Sequence, residues 1–538
     1  MNHTMRSSIW NDLRQEWDLI IIGGGITGAG IFNMATRKGY KVLLVEAKDF
    51  AFGTSSRSSK LVHGGFRYLA NKQYKVTAES VRERERLVRE ARQLVYPLRF
   101  ILPSYKHDHV SSKKFGLGVM IYDLLAPKWD HRYHSPTEIR AICPLCSSPD
   151  VISAWEYGDA KVDDARLVLR ILSEAMSLGG VALNYAKVTK LLKNQEGQVC
   201  GVALRDTSTD GVRDVSARNL PEREVLARVV INATGPWSDE LRGQIGRKPR
   251  LRKLRGSHLF FPWKKIPLTH GITMFHPRDR RAQFIFPWEG VTLIGTTDLD
   301  HPCELEEKYD ETFASASEVD YLLDSIHQVF PDLKVTHADI LATEGGVRPV
   351  VNTGAATPSQ ESRTQVIWEE DGLLTITGGK LTIYRVMAAQ ALNAISARLG
   401  GNPHFNHKMK AFEALPKPDE ELDLDPEHWY YLAGRYGQQT SVLVTESPAE
   451  ELTPVGELPA LWAELRWAAR HEAIIHLDDL LLRRMRVGLT CACGGLELLP
   501  RIRAIVQKDL GWDDARWQSE AERYQHIWKT YYSLPNSS

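Results

Sequence analysis

The sequence predicts a mixed α/β chain in three parts: a parallel-sheet domain entered at the N-terminus, a β-rich lobe interleaved with it, and a helical domain toward the C-terminus. Three observations predict it. A strand, glycine turn, helix and second strand run from Asp18 to Ala47. A further strand, Gly-Gly turn and helix stand in "GLLTITGGKLTIYRVMAAQAL". Beyond about Gly401 the text becomes proline-, acid- and leucine-rich and helical. The boundaries expected are an extension over 1–16, interleaved domains over 17–400 with the lobe drawn from roughly 75–150 and 245–340, and a helical domain over 401–538.

Leu19 to Ile22 are branched apolar residues in a row, suiting a strand buried on both faces of a parallel sheet. Gly23, Gly25 and Gly28 then have the G-x-G-x-x-G spacing. The first allows a tight turn, the second lets a pyrophosphate approach the backbone, and the third lets the next helix lie against the strand. That helix, beginning near Ile26 with Thr27, aims free N–H groups and its positive dipole end at the pyrophosphate. It stops at Gly39. The strand Lys41 to Val45 closes with Glu46 and Ala47, and the Glu46 carboxylate is placed to accept hydrogen bonds from an adenosine ribose and to repel a 2′-phosphate. A Rossmann-like dinucleotide site follows, and its place at the start of the chain favours FAD over NAD.

The 538 residues carry a formal net charge of +1, which argues against a nucleic-acid binder. Six cysteines make no disulfide framework and suit a reducing cytoplasm. Cys143-Pro-Leu-Cys146 and Cys491-Ala-Cys493 lie too far apart in sequence for an ordinary zinc site, so they read as structural thiols and no metal is expected. The first sixteen residues read as a frayed extension without a secretion signal, and no apolar run is long enough to span a bilayer. "SSKKFGLGVMIYDLLAPKW", with lysines at both ends, reads equally as a membrane-surface segment or a buried helix.

"TAESVRERERLVREARQLV" reads as a structural helix whose outer face carries solvated ion pairs. Between Val110 and Asp150 a loop-rich excursion is expected. A helix from near Val162 is capped by Asp163 or Asp164 and stopped by Gly179. Strands follow, one including Val188, and the last ends in Ala233-Thr234-Gly235, where backbone can approach a flat ligand. The return at Gly378-Gly379 brings a second helix N-terminus to the same cofactor, so the active site should lie between lobes.

Glycines beside cations or histidines recur: His63-Gly64-Gly65-Phe66-Arg67-Tyr68, Gly256-Ser257-His258, Gly346-Val347-Arg348-Pro349 and Gly378-Gly379-Lys380-Leu381-Thr382. Such pairs let a small anion reach backbone N–H groups while arginine offers a planar fork. A flavin site lined this way predicts oxidation of a small anionic alcohol or amine. His63 and His258 are both candidates for accepting the hydroxyl proton.

These residues resemble the FAD-dependent, respiratory glycerol-3-phosphate dehydrogenases of the glycine/D-amino-acid oxidase superfamily. The matching text is "IIGGGITGAG", "TSSRSSKLVHGGFRYL", "VDDARLVL", "NATGPW", "GSHLFFP", "IGTTD", "GGVRP", "PSQESR" and "GGKLTIYR", with "HEAIIHLDDLLLRRMRVGL" resembling a C-terminal helix of the family. The resemblance implies a Rossmann-like FAD domain of the glutathione-reductase type and hydride transfer from C2 of sn-glycerol 3-phosphate to flavin N5, giving dihydroxyacetone phosphate. It implies electrons passed to a quinone or other acceptor at the inner face of the cytoplasmic membrane, with a homodimer allowed. Carried over, Gly23, Gly25, Ile26, Thr27, Gly28, Glu46, Ala47, Thr54, Ser55, Ser59, Lys60, Leu61, Val188, Ala233, Thr234, Gly235, Gly379, Lys380, Leu381 and Thr382 hold FAD. Arg67, Tyr68, Thr297, Asp298, Arg348, Arg363 and Lys380 engage the substrate, Arg348 holds the reacting oxygen, and the base is left open between His63 and His258. The chain departs from the family at Thr364-Gln365, where Asp-His is usual.

Overall fold

The computed structural model describes residues 3–13, 16–65, 74–106, 108, 111–126, 128–146, 148–208, 222–301, 312–358, 361–401, 403–418, 422 and 424–535. Strands β1 (Trp17–Ile22) and β2 (Val42–Val45) flank the helix Ile26–Thr36. Next come β3 (Val95–Tyr105), β4 (Arg132–His134), β5 (Val151–Val162), β6 (Val181–Leu183), β7 (Ala186–Lys193), β8 (Val199–Asp206) and β9 (Arg223–Asn232). β10 (Leu251–Pro262), β11 (Gly271–Phe275), β12 (Ala282–Trp288), β13 (Val291–Gly295), β14 (Leu299–Asp300) and β15 (Ala342–Val351) follow. β16 (Val366–Glu370) and β17 (Leu373–Thr377) precede the helix Tyr384–Ala394.

The first sheet has the order β16-β17-β9-β1-β2-β6, with β7 and β8 attached through β9. Its middle is parallel, Leu19 standing opposite Val42 and Leu373 opposite Val230. Leu19 to Ile21 and Val42 to Val45 are fully buried, as strands covered on both faces must be. Because β17 joins β9 beside β1, the helix that starts more than three hundred residues downstream packs on the first one. Both helix N-termini thereby open at the same sheet edge.

The second sheet runs β14-β10-β13-β12-β11-β3-β5-β4, with β15 paired to β10 from Leu251 to Phe260. Its strands come from two separated stretches of chain, and all its pairings are antiparallel except β11 with β3. Helices Pro426–Tyr436, Ala463–His471 and Asp514–Tyr531 belong to the C-terminal part.

The structure differs from the sequence reading in three places. Residues 3–11 form a helix whose Arg6 pairs with Asp206 at 2.7 Å, and Trp10 and Leu13 are buried, so the segment is docked where fraying was expected. The stretch 110–150 contains the helices Ser112–Leu125 and Pro136–Ile142, the second started by a reciprocal Ser135/Glu138 capping box. The helix Tyr74–Glu90 is not merely solvated. It buries Thr77, Ser80, Glu83 and Arg84, whose partners lie on other elements: Arg385 Nε stands 3.3 Å from Glu83, and Arg84 Nη1 3.4 Å from Asp159.

Candidate functional site

A cavity of about 650 Å³ opens where the two sheets meet. At its floor β1 ends in Gly23, whose φ of +112° lies in the region that favours glycine. A side chain on Gly28 would come within 1.9 Å of the Gly23 carbonyl oxygen, so only glycine lets the helix lie this close to the strand. Ser55 Oγ accepts the Ile26 N–H at 2.9 Å. Glu46 accepts the Gly24 N–H at 2.7 Å and the Lys48 N–H at 2.9 Å. Burial raises its pKa, opposed by those backbone N–H groups. A carboxylate has about four acceptor positions, so capacity remains for a hydroxyl donor in the cavity that Glu46 lines. Glycine turn, helix start and acceptor carboxylate thus fit an adenosine diphosphate moiety.

On the opposite side Gly378 and Gly379 turn the chain into Lys380, Leu381 and Thr382, and Thr382 Oγ1 donates to the His63 carbonyl at 3.2 Å. Lys380 Nζ stands 2.7 Å from Ser80 Oγ. The Ser80 proton is directed to the Val76 carbonyl at 2.7 Å, so toward Lys380 its oxygen is the acceptor, which suits an ammonium. The helix read as purely structural therefore anchors a lysine of the cavity wall.

The densest charge surrounds Asp298. Its buried carboxylate receives Arg281 Nη2 at 2.9 Å, Arg348 Nη1 at 3.2 Å and Arg363 Nη2 at 3.0 Å. Burial by itself would raise the Asp298 pKa, but Arg348, Arg363 and Arg281 outweigh it and hold the group well below the usual carboxylate range. All three guanidinium groups line the cavity while Asp298 stands behind them. Three positive charges on one negative leave a net excess of two facing inward.

His63 lines the cavity, its ring 6.5 Å from that of Phe284. Beside it, Gly64 N–H donates to Asp159 at 3.2 Å. Burial, only partly countered by Arg84, pushes the Asp159 carboxyl up to about 6.

Of the sequence-derived residues, Gly23, Gly25, Ile26, Thr27, Glu46, Ala47, Thr54, Ser55, Ser59, Leu61, Val188, Ala233, Thr234, Gly235, Gly379, Lys380, Leu381 and Thr382 line this one cavity, as do His63, Arg348 and Arg363. Arg67 and Tyr68 lie outside the described residues. Five residues stand behind the wall. Gly28 packs helix on strand, and Asp298 holds the arginines. Thr297 accepts Ser257 N–H and donates to Glu318 at 2.7 Å. Lys60 is fully buried in an ion pair with Glu344 at 2.8 Å. His258 is fully buried with Nε2 3.0 Å from Ser59 Oγ, and burial, with Lys60 and Arg348, pushes its pKa well down. Lys60 and His258, expected at the flavin and the reacting centre, thus stand behind the lining. The sequence reading missed Arg281, hidden in the charge run "RDRRA", as well as Asp159 and Ser80.

A glycine-turn helix start, a ribose-directed carboxylate and a cationic inner wall define a dinucleotide-dependent oxidoreductase. Residues 18–385 match the model of the FAD dependent oxidoreductase family, and residues 387–517 match the C-terminal domain of alpha-glycerophosphate oxidase. The aerobic glycerol-3-phosphate dehydrogenase of Staphylococcus saprophyticus is 32% identical over 509 residues, covering 89% of this chain and 88% of the relative. That of Staphylococcus aureus is 33% identical over 507 residues, with the same coverage. The glycerol-3-phosphate dehydrogenase of Bacillus halodurans, solved with FAD, superposes with a TM-score of 0.77 at 25% identity over 99% of each chain. L-alpha-glycerophosphate oxidase of Mycoplasma pneumoniae shares the fold, with a TM-score of 0.57 and 15% identity over 75% of this chain and 100% of that one. The chain belongs to the FAD-dependent oxidoreductase family and, within it, to the glycerol-3-phosphate dehydrogenases. Its cofactor is FAD.

Proposed function

We propose that the chain oxidises the C2 hydroxyl of sn-glycerol 3-phosphate to the ketone of dihydroxyacetone phosphate. The observation that carries this reading is the convergence of Arg281, Arg348, Arg363 and Lys380 on the cavity that also holds the dinucleotide cradle. A net charge of two positive around Asp298 complements a phosphate monoester dianion, and a planar guanidinium fork binds its oxygens in pairs. Bound FAD supplies a hydride acceptor at its N5 position. His63 takes the hydroxyl proton on a ring nitrogen, since His258 is enclosed behind the wall. Arg348 holds the C2 oxygen as its charge develops, and Lys380, at a helix start, would steady negative charge on bound FAD.

Anaerobic addition of glycerol 3-phosphate to the yellow protein tests this. The flavin absorption band bleaches with glycerol 3-phosphate and not with glycine or simple 2-hydroxy acids. Bleaching by those compounds alone would replace the substrate and leave the fold untouched.

The electrons pass to a quinone at a membrane surface in this reading. Among the described residues no helix is long and apolar enough to cross a membrane. The helix Ser112–Leu125, however, exposes Leu117, Met120 and Leu124 on one face, with Trp129 and Tyr133 beyond it and exposed Lys113, Lys114 and Lys128 around them. Apolar teeth ringed by lysines suit the boundary of an anionic bilayer. Flotation with anionic vesicles checks the attachment: Leu117→Asp with Leu124→Asp abolishes it while flavin reduction persists.

A further inference from the structure

The C-terminal helices reach the cofactor cavity. His476, Asp478, Arg483, Arg523 and Tyr531 line it together with Gly25, Glu46, Lys48 and Val188. Their attachment is buried and ionic. Asp49, three residues beyond Glu46 and fully buried, receives Arg483 Nε at 2.5 Å and Arg484 at 2.7 and 2.8 Å. Asn184 donates to Asp49 at 3.2 Å and to the Ala473 carbonyl at 2.8 Å. Tyr185 donates to Asp479 at 2.7 Å and meets the His476 ring edge-on at 5.1 Å. The next residue, Ala186, donates its N–H to the Glu46 carbonyl at 2.8 Å. The strand end that presents the ribose-directed carboxylate is therefore fastened to the C-terminal helices.

Cations from both parts meet at one ring of the cavity wall. Lys48 lies 5.7 Å, Arg57 5.1 Å and Arg483 5.4 Å from the Phe52 centroid. At the other end, Thr343 on β15 donates its N–H to the Tyr532 carbonyl at 2.7 Å and its hydroxyl to the Ser533 carbonyl at 3.1 Å. This is the strand that carries Arg348.

We propose that the C-terminal domain is the latch of the cofactor site: it closes the adenosine side of the cavity, so that docking of this domain and binding of FAD strengthen one another. A ligand touching groups from two domains binds the docked arrangement and stabilises it by mass action. By linkage, docking tightens the ligand by the same factor. Arg483 is shared among Asp49, Asp478 and Asp479, so the two parts are joined by one buried ionic cluster, and undocking would strand Asp49 as an unpaired charge.

Limited proteolysis of the full chain, freed of FAD and then given FAD or ADP, tests the latch, with fragments assigned by mass spectrometry. Either ligand slows cleavage within 401–535 about 5- to 150-fold, the usual span of coupling between two sites. ADP acts alone because the adenosine side is what the domain closes. Arg523→Gln, at a partly exposed position, weakens FAD at least about fivefold by flavin-fluorescence titration, with unchanged circular dichroism. Equal cleavage with and without ligand, or FAD affinity equal to that of the native protein in both Arg523→Gln and a parallel Arg483→Gln variant, would overturn the latch while the titration still showed FAD bound. Absence of FAD binding in the titration would overturn the cofactor assignment together with it.

Discussion

The cofactor cradle and the cationic wall face one cavity and are made in opposite ways. The cradle is backbone and one carboxylate drawn from a contiguous stretch, Gly23 to Glu46, whose shape follows from glycine spacing and a buried parallel strand. The wall is side chains from distant segments, Arg281, Arg348 and Arg363, held in register by a single buried carboxylate, Asp298. A local motif can set the shape of a nucleotide cradle from one stretch of sequence. A charged pocket for a dianion needs the tertiary fold to assemble like charges and one buried counter-charge to hold them.

Damage to the wall should therefore spare the flavin, and damage to the cradle should spare the chemistry once flavin is restored. The largest effect is expected for Asp298→Asn. Removing the buried partner of three partly exposed arginines costs up to about 3–5 kcal/mol of stability, and turnover should fall by at least about 10³-fold in protein that remains yellow. Calorimetry and flavin content measure both sides of that statement. Loss of flavin with normal turnover after reconstitution would place Asp298 in the cradle instead. For Arg348→Ala, a loss of about 10²- to 10³-fold in turnover is expected with FAD retained; unchanged turnover would move the reacting centre elsewhere.

Asp159 sharpens the comparison through pH. Its folded pKa, about 6, lies above the unfolded value of 3.8, so the folded state binds the proton more tightly. The stability this contributes is fully present below pH 4 and is lost as pH rises through 6. Relative to Asp159→Asn, the native protein should lose roughly 3 kcal/mol between those limits, at 1.36 kcal/mol for each pKa unit. Parallel denaturation profiles of the two proteins from pH 4 to 7 would contradict the assignment. The smallest effect is expected in the cradle. Glu46→Gln should weaken FAD about 10- to 100-fold, the scale of hydrogen bonds to a charged group, with normal turnover at saturating FAD.

The same contrast explains what the sequence made legible. The cradle was readable because strand, turn, helix and acid are local and their spacing carries the geometry. Arg348 and Lys380 were readable from the glycines beside them and from the family resemblance. Arg281 was not, because a cation within "RDRRA" has the signature of a solvated surface until β12 turns it inward onto Asp298. Lys60 and His258 stand next to informative residues yet lie behind the lining, the Lys60 side chain directed to Glu344. Ser80 was hidden for a different reason. Its helix has the charge pattern of an exposed face, and the buried partners that override the pattern lie hundreds of residues away.

The dianion pocket is tested most directly by flavin reduction under argon with glycerol 3-phosphate and with glycerol, in the native protein and in a double variant, Arg281→Ala with Arg363→Ala. A pocket built around the phosphate should prefer the phosphorylated substrate by about 10⁴-fold in the native protein, because the analogue leaves buried polar groups unpaired. That preference should shrink toward unity in the variant. Comparable rates for the two alcohols in the native protein would contradict it.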